Sequence, residues 1–312
     1  MKQILRTTIF LFVVSFLIFV SSLPAQDLGP HFKKVKEGIF VYAANPLISN
    51  VGVILTQEGV VLIDSGLNPP DSHAVMKAVK QLTSQPIRFL INTEPHNDHT
   101  TGHFVFSPPA VIIGAHGATE SMKKIYDPKR IEKLSAQSPE MREAFQGYRL
   151  ITPHVEYKDK MTLHLGERTF ELMHLKDVHS ESDTAIWLPK ERVLFSAAAA
   201  IVKSYNNLRP FVSIPAILSA LKMMKSLNPE VVVTGHGPPG TTKIFDDTER
   251  FYTLLLERVE RMVREGKSLD QIKEELKMPE YDDWGRKERF PNNIEAAYRA
   301  LKGNLSGTYY PL

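Results

Sequence analysis

An apolar stretch, Ile87 to Ile91, runs directly into Glu94-Pro95-His96-Asn97-Asp98-His99. Four potential metal ligands crowd into these six residues, so the fold has to deliver them together at the end of a strand. Two of the four are imidazoles, the commonest side-chain metal ligands. In an extended segment alternate side chains share a face, which lets Glu94, His96 and Asp98 converge. A turn at Asp98 to His99 then sends His99 to a neighbouring point. The pattern predicts a metal centre, of one ion or two, at the C-terminal end of a buried strand.

The 312 residues contain no cysteine. At this length a chain folds without disulfides, and 43% hydrophobic composition supplies a large core. Any metal is therefore held by nitrogen and oxygen alone, which excludes cysteine-rich structural zinc.

The N-terminus has the three parts of a secretory leader. Lys2 and Arg6 form its positive end, Ile9 to Val20 its apolar run of twelve residues, and Ser21 to Ala25 its small-residue segment. Twelve residues are too few to span a bilayer comfortably. Cleavage after Ala25 is expected, with a periplasmic or extracellular destination and no stable membrane span. Loss of Lys2 and Arg6 leaves 36 basic against 35 acidic residues, which carries no electrostatic footprint for nucleic acid.

Strands are expected at Ile39–Tyr42, Val51–Thr56, Val60–Ile63, Ile87–Asn92 and Ala110–Ile113, with a helix over Asp71–Leu82. Thr119 to about Tyr148 is polar and helical. Strands resume at Met161–Leu165, Thr169–Leu175, Thr184–Leu188, Arg192–Ser196 and Val231–Thr234, with a helix over Pro215–Leu227. Asp246 or Asp247 is expected to cap a helix running to Arg264, followed by shorter helices over Ser268–Leu276 and Asn292–Leu301. Two further histidines fall at strand ends: His179 after Thr169–Leu175, and His236 between Gly235 and Gly237 after Val231–Thr234. Open α/β architectures place their sites at such ends.

In this order, Ile63-Asp64-Ser65-Gly66, the cluster at 94 to 99, the His179 loop with Asp183-Thr184-Ala185, Val193-Leu194-Phe195-Ser196 and Gly235-His236-Gly237 resemble the metallo-β-lactamase superfamily. The resemblance runs from about Ile39 to Gly240. It implies an α/β fold, a four-layer αβ/βα sandwich of two mixed sheets with helices on both outer faces. With the leader at 1–25 and the helical tail, the expected division is a metallo-β-lactamase-like domain at 26–245 and a helical extension at 246–312 packed on that domain.

By the same resemblance, a first ion is held by Glu94, His96 and His179, and a second by Asp98, His99 and His236. Asp64 orients a ligand histidine, and such carboxylates fix the imidazole tautomer. The metal is zinc, two per chain, with Mn2+ or Fe2+ as alternatives. Two departures stand out. Glu94 replaces the histidine that normally opens the motif. Ser196-Ala197-Ala198-Ala199 offers no aspartate to bridge the ions. The ligand set is otherwise that of metallo-β-lactamases lacking the cysteine ligand.

The implied chemistry is hydrolysis of an amide, ester, thioester or lactone in a small-molecule substrate by metal-activated hydroxide, with Asp98 orienting the nucleophile. A true β-lactamase and a non-catalytic metal-binding protein are the alternatives. The segment from Ile201 to Phe211 carries Lys203, Asn206, Asn207 and Arg209 as candidate substrate contacts, and Ala43 to Asn50 is a candidate covering loop.

Overall fold

Side-chain alternation along the strands sorts the apolar residues into three separate layers. In the computed structural model, which describes residues 27–43 and 49–303, one sheet contains seven strands. These are β1 (Phe32–Lys36), β2 (Ile39–Tyr42), β3 (Val51–Thr56), β4 (Gly59–Ile63), β5 (Ile87–Ile91), β6 (Val111–Ala115) and β7 (Val155–Tyr157), ordered as in the sequence. Strands β1 to β4 pair antiparallel and β4 to β7 parallel. The second sheet contains β8 (Lys160–Leu165), β9 (Arg168–Leu175), β10 (Asp183–Leu188), β11 (Val193–Phe195) and β12 (Val231–Val233), ordered β12-β11-β10-β9-β8. Only its β11–β12 pair is parallel. Both sheets are thus mixed.

Val61 and Ile63 of β4 face Ile186 and Leu188 of β10 across the layer between the sheets. Their neighbours Val60 and Leu62 point the other way, onto Val75 and Val79 of the helix Pro69–Leu82. Ala185 and Trp187 of β10 point to the opposite outer face, where helices Ile214–Ser226, Lys243–Arg264 and Phe290–Lys302 cover them with Ile217, Leu221, Phe251, Leu255 and Ile294. The period of two in strands thereby builds helix, sheet, sheet and helix. This is the four-layer sandwich expected. Burying one such aliphatic side chain contributes roughly 1.5–3 kcal/mol, so the three layers dominate stability.

Two strands escaped the sequence reading, and both lie at the edges of the seven-stranded sheet. Phe32–Lys36 reads FKKVK, with no buried position, and charged edges of this kind block unwanted pairing. Val155–Tyr157 buries only Tyr157.

The polar segment resolves into helices Ala118–Ile125, Pro128–Ser135 and Pro139–Ala144. The last two start with side-chain caps, Asp127 to the amide of Lys129 and Ser138 to that of Met141. The long C-terminal helix begins at Lys243 after Thr242, not at Asp246 or Asp247. Asp246 instead pairs with Lys225 at 2.6 Å and Asp247 with Lys243 at 2.7 Å, so neither carboxylate serves as its cap. Among the described residues no helix is long and apolar enough to cross a membrane. The leader and the positions 44–48 of the expected covering loop lie outside the described residues.

Candidate metal centre

Strand β5 stops at Ile91 because Asn92 turns the chain. Its side-chain Nδ2 donates to the carbonyl of Glu94 at 2.7 Å. The chain bends at Thr93 and Pro95. His96 is extended (φ −68°, ψ 150°), and Asn97–Thr100 forms a single helical turn. Asp98 and His99 are therefore delivered by helical geometry rather than by the strand-like alternation expected through Asp98. Convergence is reached all the same.

Oε1 of Glu94 lies 3.0 Å from Nδ1 of His96, 2.9 Å from Nε2 of His99 and 3.6 Å from Nε2 of His179. Oδ2 of Asp98 lies 3.2 Å from Nε2 of His236 and 3.6 Å from Nε2 of His99. The two imidazole nitrogens of His99 and His236 are 3.4 Å apart. Glu94, His96 and His179 offer donor atoms within 4.8 Å of one another, and so do Glu94, His99 and His236. Glu94 thus belongs geometrically to both groups, a sharing that the one-ion-per-residue partition did not foresee.

Asp64, at the end of β4, accepts from Nδ1 of His99 at 2.7 Å and from the amide of Thr93 at 2.7 Å. This bond fixes the protonated nitrogen of His99 away from the cluster and turns its Nε2 inward. Behind the site, the amide of Thr184 donates to the carbonyl of Thr93 at 2.7 Å, tying the second sheet to the first.

Burial opposes the charge of Glu94, yet His99, His179 and His96 hold its carboxyl well below the usual range. Burial also opposes the charge of Asp98, which His99 and His236 hold below its usual value. Burial pushes His96 down, helped by the Arg209 guanidinium, and pushes His179 well down. Burial pushes His99 down too, but the charges of Glu94, Asp64 and Asp98 hold it well above its usual value. Neutral imidazoles and ionised carboxylates are the forms that bind metal, so an ion would have to displace a proton from His99. Glu94 is 1% exposed, and its Oε2 has no hydrogen-bond partner. An unpaired buried oxygen of this kind costs about 1–3 kcal/mol or more, and a divalent ion would satisfy it. The all-nitrogen-and-oxygen donor set fits such an ion.

The predicted substrate residues scatter. Nη1 of Arg209 lies 3.4 Å from Nε2 of His179, at the edge of the cluster. Lys203 faces Asp283 at 2.7 Å on the exposed surface. Asn206 is buried and donates to the carbonyl of Ala198 at 2.8 Å, while its Oδ1 receives the amide of Asn207. The structure thus brings only Arg209 of these four into contact with a candidate ligand.

Other residues shape the site without having been singled out. Asp183, buried at the start of β10, accepts the amides of His179 and Ser180, each at 2.7 Å, and so folds the His179 loop. Burial and the charge of Glu94 raise its carboxyl to about 8 against those bonds. Asn50 donates to the carbonyls of Thr234 at 2.9 Å and Gly237 at 2.7 Å, clamping the loop of His236. Ser49 donates to the carbonyl of Asp98. Arg289, from the C-terminal helices, is half-buried; burial lowers it to about 10, within electrostatic range of Arg209 and Asp98. A short polar residue at the start of an apolar run signals such clamps only weakly, because its partners are distant in sequence or are backbone groups.

The family model described as the metallo-beta-lactamase superfamily matches residues 44–236. The alpha subunit of 2,4-dinitroanisole O-demethylase from Nocardioides sp. (strain JS1661) is 24% identical over 179 residues, 57% of this chain and 49% of that one. A stereoselective inverting sec-alkylsulfatase from Pseudomonas sp. superposes with TM-score 0.67 at 18% identity, over 89% of this chain and 52% of that one. A metallo-beta-lactamase from Pontibacter korlensis superposes with TM-score 0.55 at 18% identity, over 70% and 96%. The chain therefore spans about half the length of the O-demethylase subunit and of the alkylsulfatase.

Proposed function

Because the chain belongs to the metallo-beta-lactamase superfamily, we propose that it is an exported metal-dependent hydrolase that cleaves an amide, ester, thioester or lactone bond in a small molecule. The observation that carries this reading is the convergence of Glu94, His96, Asp98, His99, His179 and His236 from three strand-end loops, with contacts of 2.9–3.6 Å. Glu94, His96 and His179 would hold a first ion, and Asp98, His99 and His236 a second, with zinc the best fit to this donor set. When bound, such ions lower the pKa of water toward neutrality and polarise a scissile carbonyl.

The protein's own part is positioning. Asp64 orients His99, Asp183 folds the His179 loop, and Asn50 holds the His236 loop. Asp98 has a side chain 27% exposed where Glu94 is 1% exposed, so its carboxylate is the one placed to orient the nucleophile toward an incoming substrate. The twelve-residue apolar run behind Lys2 and Arg6 supports export.

One observation favours an anionic substrate. The guanidinium of Arg209 stands at the edge of the cluster, where it would receive the carboxylate of a lactam or the sulfate of a sulfate ester; one structurally similar protein is an alkylsulfatase. Metal analysis and a panel of lactam, lactone, thioester and sulfate-ester substrates test the proposal. Hydrolysis of at least one class should be abolished by a chelator and restored by Zn2+. His96→Ala and Asp98→Ala should each lower it by orders of magnitude. Folded variants that retain activity would remove the assignment, and a wild type without metal would leave a degenerate, non-catalytic site.

A further inference from the structure

Glu94 is placed to do more than complete one ligand group. Its Oε1 stands 3.0 Å from His96 on one side and 2.9 Å from His99 on the other, and it is the member common to both donor groups. Its second oxygen is buried and unpartnered. Across the site, the segment after β11 offers no competing acid. Ala197, Ala198 and Ala199 are all buried there. A methyl group on Gly235 would come within 3.2 Å of His99 Cε1 and 3.3 Å of the Ala197 carbonyl carbon, so that wall is packed with backbone. Asp98 contacts His99 and His236 alone among the ligand imidazoles.

We propose that the Glu94 carboxylate bridges the two ions, tying the His96–His179 group to the His99–His236 group. The inference rests on the two-ion reading above. A carboxylate has two oxygens with about four lone-pair sites, enough for two ions at once. The glutamate side chain reaches between the two groups from the loop that follows β5. Binding at one group then orients an oxygen for the other, so the two binding steps are coupled through a single residue.

The test is a titration of the metal-stripped full-length chain with Zn2+ against a chelating dye. His236→Ala, which removes a ligand of the second group only, identifies the step that belongs to that group. The discriminating variant is Glu94→Asp, which keeps the charge and withdraws the oxygens by one methylene. The bridge predicts that Glu94→Asp weakens both steps by at least about tenfold, since each group loses a bond. Glu94→Gln, which keeps the shape without the charge, should weaken both as well. A second step unchanged within about twofold in Glu94→Asp, beside a weakened first step, overturns the bridge and leaves the two-ion reading standing. A wild type that takes fewer than two ions overturns the two-ion reading and the bridge together. Circular dichroism of each variant, compared with wild type, separates lost ligation from lost fold.

Discussion

Oδ2 of Asp64 lies 2.7 Å from Nδ1 of His99, a contact between residues 35 positions apart. Asp64 reaches it from the end of β4, in a left-handed backbone conformation (φ 59°), and gains further bonds from the amide and hydroxyl of Thr93. Orienting partners of this kind are worth roughly 10–100-fold in metal affinity. Asp64→Ala should lose that much in a competition titration with Zn2+. Asp64→Asn, which keeps an acceptor oxygen, should lose less. Equal affinity in wild type and Asp64→Ala would refute the orienting role.

The clamp by Asn50 makes a second prediction. Its side chain donates to two carbonyls of the His236 loop, and both would be left unpaired in a buried setting by Asn50→Ala. The expected cost is roughly 1–3 kcal/mol, seen as a lower Tm. The same variant should weaken the metal-binding step assigned to His236 more than the other step. A uniform change in both steps would show that Asn50 stabilises the fold without positioning the loop.

Arg209 predicts a charge preference. Arg209→Gln removes the cation 3.4 Å from His179 while keeping a polar side chain. For an anionic substrate kcat/KM should fall roughly tenfold or more, mostly through KM. A neutral substrate of the same scissile bond should change little. Matching losses on both substrates would point to disturbed metal ligands instead.

His103 predicts acid sensitivity. Burial lowers its pKa from 6.5 to about 4, although the bond from its ring to the carbonyl of Ile151 opposes the shift. Between these values the unfolded chain binds a proton that the folded chain refuses. The stability associated with neutral His103 is therefore complete above about pH 6.5, declines on acidification, and is lost below about pH 4. The shift is worth about 3 kcal/mol. Urea midpoints of the metal-free protein at pH 7, 5.5 and 4.5 should fall less steeply for His103→Gln than for wild type; parallel slopes would contradict the account.

Much of this was legible in the sequence. Val60 to Ile63 and Thr184 to Leu188 announce buried strands by composition alone, and both faces of each strand are indeed covered. The convergence of candidate ligands was legible because His96, Asp98 and His99 lie within one short segment and two histidines recur at later strand ends. The edge strands were not, because FKKVK satisfies its backbone at a sheet margin without burying anything. Nor were Asn50 and Asp183 visible as clamps. Their roles depend on carbonyls and amides brought close by tertiary contacts, and backbone groups leave no mark in the sequence. The double membership of Glu94 also escaped, since spacing says which side chains share a segment but not where between two groups an oxygen stops.

The family match ends at residue 236, yet the layer over the five-stranded sheet does not. Phe251, Tyr252, Leu255, Val259, Ile294 and Ala297 pack there with Ala185, Trp187 and Leu194. The segment that carries the candidate ligands is consequently not a portable module. A fragment trimmed to the matched residues would present a broad greasy face to water and self-associate. Any fusion that transplants the candidate site has to carry the tail with it, because the C-terminal helices close the face on which the ligand loops are built.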